Sequence, residues 1–232
     1  MKNYISSPAT DKSRSQKASQ CLASICSILE QHHSKDWAIS FNGGKDCQVM
    51  LILILAAMQI VGIAGPTTLV PAIYVKEKDS FPEVDSFVKY CASEYNLDVC
   101  TIEKPMREAL QDYLDTHNHV KAIFIGIRRQ DPYGADLQQV QQTDHGWPDF
   151  QRLHPLLEWD YGDVWDFLLA IGCNYCTLYA QGYTSLGGIF NTIRNPHLQA
   201  PNGEYEPAYK LTDFGQERVG RLKGNPSQAN GK

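Results

Sequence analysis

The chain has 232 residues, of which 43% are hydrophobic, and carries a formal net charge of -5. This length and apolar content allow one sizeable buried core with a small appendage, and they argue against a disordered chain. The acidic balance gives no broad basic field for non-specific binding of nucleic acid or of a membrane surface. The longest apolar run, residues 49–57, is far shorter than the roughly 20 residues that cross a bilayer. We therefore expect neither nucleic acid nor a membrane as a partner.

Cysteine usage bears on the compartment. Seven cysteines, an odd number, are scattered through apolar surroundings, and no secretory signal precedes them. Both features favour reduced thiols in the cytosol, so we expect a cytoplasmic protein. The first twenty residues carry four basic side chains and one acidic side chain. This mix weakly resembles a mitochondrial transit peptide, and an ordinary polar tail is the alternative.

The hydrophobic pattern alternates between helical and strand-like segments. Apolar spacings of three and four predict helices over residues 15–32, 46–60, 82–95, 105–114 and 162–171. Short apolar runs predict strands over residues 37–41, 72–75, 97–102 and 122–127. The last strand is apolar on both faces, as in a sheet that helices cover on each side. The order predicts an α/β fold with a doubly wound, mostly parallel sheet and helices on both faces.

Three regions follow from this pattern. Residues 1–14 are expected to form a flexible tail, residues 15–175 a nucleotide-binding α/β domain, and residues 176–232 a loop-rich segment whose last residues are disordered. Residues 128–149 are too polar and irregular for a core, and long irregular segments in compact domains tend to be binding loops.

A glycine turn joins the first strand to its helix, in the order Ser40-Phe41-Asn42-Gly43-Gly44-Lys45-Asp46. Glycine lets backbone N–H groups approach a phosphate closely, with the positive end of the helix dipole behind them. Lys45 would add a mobile positive charge. The chain has neither G-x-x-x-x-G-K-[ST] nor a G-x-G-x-x-G after a strand. The turn resembles the pyrophosphate loop of the adenine-nucleotide α-hydrolase (PP-loop) superfamily, whose members break ATP between the α and β phosphates.

Further segments narrow the resemblance. Residues 126–133, Gly-Ile-Arg-Arg-Gln-Asp-Pro-Tyr, follow the strand at residue 122 and so lie at the same sheet edge as the glycine turn. The other matching segments are Trp147-Pro148-Asp149-Phe150, His154-Pro155-Leu156, Trp159, Val164-Trp165 and Tyr183-Thr184-Ser185-Leu186-Gly187. Together, from about residue 37 to residue 221, they resemble the eukaryotic FMN adenylyltransferases, or FAD synthetases, of the PAPS-reductase-like group, in the single-domain fungal form.

The resemblance implies a reaction and a set of site residues. The reaction is transfer of AMP from ATP to the phosphate of FMN, which gives FAD and pyrophosphate with Mg²⁺ as the metal. Residues 40–46 would bind the ATP phosphates, and Asp46 would also bind the metal. The flavin would contact Arg128, Asp131, Trp147, Arg218 and Arg221. Catalytic roles would fall to Asn42, Asp46, Asp131, Asp144, Arg218 and Arg221. The partners would be these small molecules alone, and we expect a monomer.

Several of these residues have plainer interpretations. Asp46 could favour only the helix dipole, and Asp131 before a proline could be only a turn former. Asp144 could be a solvated carboxylate, and Arg218 and Arg221 could belong to a disordered tail. Cys47, close to the phosphate loop, is expected to have a lowered thiol pKa.

The cysteine positions bear on a second metal site and on other activities. Cys173 and Cys176 have zinc-like spacing, but a closed site needs four ligands and no second cysteine pair occurs. A PAPS or APS reductase would need a nucleophilic cysteine on a C-terminal segment, and none follows Cys176. Sulfurylase-like PP-loop enzymes and a non-catalytic flavin- or nucleotide-binding module stay open as alternatives.

Overall fold

The computed structural model describes Tyr4, residues 11–32 and residues 36–222. Six strands form one sheet in the order β3-β2-β1-β4-β6-β5. All neighbours run parallel except β5, which is antiparallel to β6. The strands are β1 Trp37–Ser40, β2 Val70–Val75, β3 Leu97–Ile102, β4 Ala122–Ile125, β5 Val140–Gln142 and β6 Gln151–Leu153. The predicted α/β fold with a mostly parallel sheet is confirmed.

Five α-helices lie between and around the strands. They are α1 Lys12–Gln31, α2 Lys45–Ile60, α3 Pro82–Glu94, α4 Met106–Thr116 and α5 Tyr161–Ile171. Within the described ranges, no helix is both long enough and apolar enough to span a bilayer. The predicted tail at residues 1–14 lies largely outside the described residues, but Asp11 already caps α1 by accepting the N–H of Ser13 and Arg14. The expected disorder at the C-terminal end falls on residues 223–232, also outside them.

Alternate side chains of the central strands face two separate cores. Trp37 and Ile39 of β1 pack in the larger core, with buried residues of α1, α2, α3 and α5. Ala38 lies in a smaller core with Leu110 and Tyr113 of α4. Because successive residues of a strand point to opposite faces, helices must cover both sides of this sheet. The sheet is therefore doubly wound as predicted.

The chain reverses direction across the sheet at β1. Strands β2 and β3 lie on one side of it, and β4 lies on the other, with Ser40 at the end of β1 level with Ile125 at the end of β4. Ligands of open α/β sheets bind outside the carboxyl ends of the strands at such a switch point. The loops after β1 and after β4 therefore meet where a nucleotide is expected.

The prediction that residues 128–149 contain no regular structure was wrong in part. Val140–Gln142 forms β5, which pairs with β6, and neither strand was predicted. Both have three residues and no continuous apolar run, so their pairing rather than their composition defines them. After α5, residues 177–216 include five short 3₁₀ helices.

Candidate active site

A cleft of about 400 Å³ lies at the switch point. The glycine turn, the loop after β4 and the C-terminal segment all contribute to its wall. Gly126 lets the loop after β4 approach the start of α2, because a Cβ there would lie 3.1 Å from the backbone N of Cys47. The predicted site residues in the wall are Ser40, Phe41, Asn42, Gly44, Lys45, Asp46, Asp131, Arg218 and Arg221.

The turn after β1 is shaped by its own residues. Gly43 has φ +71°, a conformation that side chains with a Cβ rarely adopt. The side-chain oxygen of Asn42 accepts the Gly44 N–H at 2.9 Å. Gly44 is the N-cap of α2 and has no side chain with which to cap the helix. The start of α2, with the positive end of its dipole, therefore faces the cleft.

Lys45 differs from the expected mobile cation. Its side chain is buried, and Nζ lies 2.5 Å from Glu217 Oε1 and 3.0 Å from Asp46 Oδ2. The ammonium group also lies over the rings of Tyr161 and Tyr179, at 5.3 Å and 5.9 Å from their centroids. These contacts hold the lysine in one position, so the prediction of a mobile charge was wrong.

Arg128 is the centre of a buried ion-pair network. Its Nη2 donates to both carboxylate oxygens of Glu217, at 2.8 Å and 2.7 Å, and to Asp131 Oδ1 at 3.2 Å. Its Nε lies 2.8 Å from Asp46 Oδ1, although the geometry is not that of a hydrogen bond. Only 1% of the residue is exposed, and it does not line the cleft. The expected direct contact of Arg128 with a flavin is therefore not supported, because the guanidinium is already used to join three carboxylates.

Asp46 and Asp131 have contacts beyond those of a helix-dipole partner and a turn former. Asp131 forms the turn after β4 by accepting the Arg128 N–H at 2.9 Å, and its carboxylate also lines the cleft. Burial opposes ionisation of Asp46, but Lys45 and Arg128 more than offset that effect and hold its pKa below the ordinary value. Both side chains therefore present negative charge to the cleft.

Arg218 and Arg221 line the cleft without a carboxylate partner among the described residues. Arg218 contacts the hydroxyl of Ser185 at 3.4 Å, and Arg221 donates to the carbonyl oxygen of Leu186. Burial first and the nearby Arg218 second lower the pKa of Arg221. Two adjacent cations in a half-buried position favour an anionic ligand. Both arginines therefore line the same cleft as the glycine turn.

The C-terminal segment supplies two site residues that the sequence did not indicate. Glu217 lies in the quoted run from Glu217 to Arg221, but nothing in the pattern marked it as a partner of buried cations. Tyr179 lies in a short 3₁₀ helix, Thr177–Gln181, and its hydroxyl accepts the Lys45 N–H at 3.0 Å. Thr184 fixes the segment by donating to the carbonyl oxygen of Glu217 at 2.6 Å.

Asp144 and Trp147 are not brought to this cleft. They lie in the turn between β5 and β6, after Gln142, which pairs with Gln151, and Gln151 is level with the first residue of β4. That turn therefore lies at the amino ends of the parallel strands, opposite the phosphate loop. Asp144 is exposed and pairs with Arg152 at 3.1 Å. The expectation that these two residues share the site with residues 40–46 is corrected accordingly.

The cysteines show no metal site. All seven are free, and no group of three or more possible metal ligands occurs within the described ranges. Burial raises the pKa of the Cys47 thiol to about 12, so the expected lowering was wrong. Although Cys47 lies at the start of α2, desolvation of the thiolate outweighs the helix dipole there.

Comparison with known proteins agrees with this geometry. The phosphoadenosine phosphosulfate reductase domain family matches residues 36–116 and 99–194. A probable FAD synthase of Schizosaccharomyces pombe is 44% identical over 83% of this chain and 74% of its own length. Some relatives are longer, and the chain spans 40% of a probable FAD synthase of Caenorhabditis elegans.

Solved structures give the same result over nearly the whole chain. Yeast FAD synthetase in complex with FAD has a TM-score of 0.89 at 28% identity and 95% coverage of both chains. Candida glabrata FMN adenylyltransferase, in complex with FMN and the ATP analogue AMPCPP, has a TM-score of 0.85 at 30% identity and the same coverage. The chain therefore belongs to the FAD synthase, or FMN adenylyltransferase, family, built on a phosphoadenosine phosphosulfate reductase domain.

Proposed function

We propose that this protein transfers AMP from ATP to the phosphate of FMN, giving FAD and pyrophosphate. The observation that carries the proposal is the pairing of two anion-binding features in one cleft. The start of α2, with the positive end of its dipole, lies on one side, and Arg218 and Arg221, which have no carboxylate partner among the described residues, lie on the other. A reaction between two phosphate groups requires such an arrangement, because each phosphate must be neutralised before they can approach.

The attacking group is an oxygen of the FMN phosphate. The second pKa of a phosphate monoester is about 6, so the group is already an anion at neutral pH and needs no strong general base. Arg218 and Arg221 bind this phosphate and reduce its repulsion from ATP. The oxygen attacks the α-phosphorus, the bond to the β-phosphate oxygen breaks, and pyrophosphate leaves. Alignment and charge neutralisation therefore supply most of the rate enhancement.

The turn at residues 42–46 holds the leaving pyrophosphate. The first turn of α2 supplies the partial positive charge of the helix start, while the N–H groups of Gly44 and Lys45 donate to Asn42 Oδ1 and to the Tyr179 hydroxyl. Asn42 shapes the turn through its bond to the Gly44 N–H. Lys45 contributes a fixed positive charge in the wall of the cleft, where Glu217 and Asp46 hold its ammonium group in place. In this proposal Asp131 orients the flavin, since its carboxylate lines the cleft beside the loop after β4.

Mg²⁺ suits this set of donors as an ion that arrives with ATP. The described residues contain no cluster of three possible ligands, but Asp46 is the carboxylate of the phosphate turn and lines the cleft, with Oδ1 2.8 Å from Arg128 Nε and Oδ2 3.0 Å from Lys45 Nζ. Mg²⁺ is commonly held by one or two carboxylates together with substrate phosphates and water. We propose Asp46 as that carboxylate. When bound, the ion would offset part of the negative charge of the phosphates.

We also propose a compartment, a class of partners and an oligomeric state. Free thiols at all seven cysteines favour a reducing compartment such as the cytoplasm. The partners are small molecules, with neither nucleic acid nor membrane involved, and the protein acts as a monomer. The segment from residue 176 onward completes the flavin side of the cleft, because it carries both arginines.

Incubation of the purified chain with FMN, ATP and MgCl₂, followed by chromatography, tests the function. We expect FAD and pyrophosphate in equal amounts. Adenylylation of a different acceptor without FAD would favour another PP-loop enzyme, and tight FMN binding without product would favour a non-catalytic module. A buried Cys47 thiol with a raised pKa is a poor nucleophile, which argues against reductase chemistry at this cleft.

A further inference from the structure

Tyr179 reaches the phosphate loop from the C-terminal segment. It lies in the 3₁₀ helix Thr177–Gln181, and its hydroxyl oxygen accepts the N–H of Lys45, the first residue of α2, at 3.0 Å. The same oxygen would lie 3.7 Å from a Cβ built on Gly44. The residue is 2% exposed and lines the cleft. The hydroxyl therefore lies directly beside the turn to which phosphates are expected to bind.

The hydroxyl has one hydrogen-bonding function that the protein does not use. A tyrosine hydroxyl can accept hydrogen bonds and can also donate one. Here it accepts from Lys45, and no described group accepts its proton. A buried donor without an acceptor costs free energy, so such a group in a cleft indicates a ligand that completes it.

The charge state of the hydroxyl suits a donor. Burial, and next the nearby Asp46 carboxylate, raise the pKa of Tyr179 well above its ordinary value. The group therefore keeps its proton at neutral pH. Edge-on packing of the ring against Trp165, with centroids 5.3 Å apart, holds it in position.

We infer that Tyr179 binds the pyrophosphate part of ATP by donating its hydroxyl hydrogen to a β- or γ-phosphate oxygen. The inference rests on the proposed function and adds a residue to it. The hydroxyl would link the start of α2 to the phosphate, since it accepts the first N–H of that helix and donates its own hydrogen to a phosphate oxygen. A charge-assisted bond of this kind favours polyphosphates over AMP, which lacks both phosphates.

The variant Tyr179→Phe removes the hydroxyl and keeps the ring. Tyr161→Phe is a matched control, because Tyr161 is also buried beside Lys45 but donates to the carbonyl oxygen of Ala208 at 2.7 Å, and it does not line the cleft. Calorimetry with MgATP, pyrophosphate, AMP and FMN measures each affinity. We expect Tyr179→Phe to weaken ATP and pyrophosphate binding about 10- to 100-fold and to leave AMP and FMN within about twofold. Tyr161→Phe should leave all four within about twofold.

Three results would overturn the inference. One is unchanged or tighter pyrophosphate binding by Tyr179→Phe, which would mean that the hydroxyl serves only as the acceptor of the Lys45 N–H. A second is an equal loss in Tyr161→Phe, which would indicate a packing effect. If Tyr179→Phe does not fold, p-aminophenylalanine at position 179 keeps a donor, and weak pyrophosphate binding by that folded variant would be the third. FAD synthesis by the wild-type chain is measured in parallel, so failure of the proposed function would be seen separately.

Discussion

Lys45 and Glu217 lie 172 residues apart in the sequence, yet Lys45 Nζ and Glu217 Oε1 are 2.5 Å apart in the buried base of the cleft. Glu217 also accepts two hydrogen bonds from Arg128. The residue that follows it is Arg218, one of the two unpaired cations. The Glu217 carboxylate therefore connects the C-terminal segment, on the flavin side of the cleft, with the phosphate loop and with the loop after β4.

The first prediction concerns this carboxylate. Glu217→Gln keeps the shape of the side chain but removes the negative charge that pairs with two buried cations. We expect the free energy of unfolding to fall by about 3 kcal/mol, because removing one partner leaves buried charge uncompensated. Urea unfolding at pH 7 measures the change. The exposed Glu204→Gln in the same segment is the control, and an equal small change in both variants would contradict the role of Glu217.

A second prediction separates the position of Arg221 from its presence. A Cβ on Gly187 would lie 2.3 Å from Arg221 Nη2, so Gly187→Ala must displace the guanidinium, which is the flexible end of the side chain. We expect the KM for FMN to rise about tenfold or more, as it should in Arg221→Ala, because a charge-assisted contact to the phosphate is lost.

Steady-state kinetics with varied FMN provides the measurement. Gly65→Ala is the control, because an added Cβ there would meet only Thr68 Oγ1, at 3.3 Å. An FMN KM in Gly187→Ala equal to that of the wild type, alongside a raised KM in Arg221→Ala, would show that the arginine acts from another position.

The third prediction tests the phosphate turn. Asn42→Ala removes the oxygen that holds the Gly44 N–H, and Asp46→Asn removes the charge proposed to bind the metal. We expect each to reduce kcat/KM about 100-fold or more, since each acts on the reacting phosphates. Rates of FAD formation give the result, with circular dichroism to check the fold. Asp115→Asn, on the exposed end of α4, should keep normal activity, and near-normal rates in both turn variants would contradict the placement of the site.

The fold, and the glycine turn at the candidate site, could be predicted for a physical reason. Long apolar segments with a period of 2 or 3.6 residues mark elements whose burial dominates their stability, so the four central strands and all five helices were found. The glycine turn was recognisable because backbone approach to phosphate requires glycine at fixed positions. The strands β5 and β6 were missed because three-residue strands have no period to detect.

The partners of the charged residues could not be predicted. The sequence shows that Lys45 and Arg128 are cations near the right sheet edge, but only the folded chain shows that Glu217 pairs with both. Its contact with them depends on how a loop-rich segment returns across the sheet, and loops carry no periodic signal. The same applies to Asp144, whose place at the opposite edge follows from the register of β5 with β6.

The last prediction concerns pH and a histidine outside the cleft. His154 is buried, and its Nδ1 lies 2.7 Å from the carbonyl oxygen of Gln138. Burial, the largest effect, lowers its pKa below the ordinary 6.5. The unfolded chain therefore binds a proton at a higher pH than the folded chain does. The contribution of neutral His154 to the free energy of unfolding is fully present above about pH 6.5. It falls as the pH is lowered toward the folded-state pKa.

Urea unfolding between pH 8 and pH 5.5 measures this effect. The depressed carboxylate pKa values of Asp46, Asp85 and Glu158 affect stability only near or below the ordinary values of 3.8 and 4.5, outside this window. We expect His154→Gln, which keeps a donor for the Gln138 carbonyl, to remove most of the decrease, whereas the exposed His145→Gln should retain it. If both variants lose stability with pH as the wild type does, another group controls the transition, because the residue proposed to take up the proton would be absent from one of them.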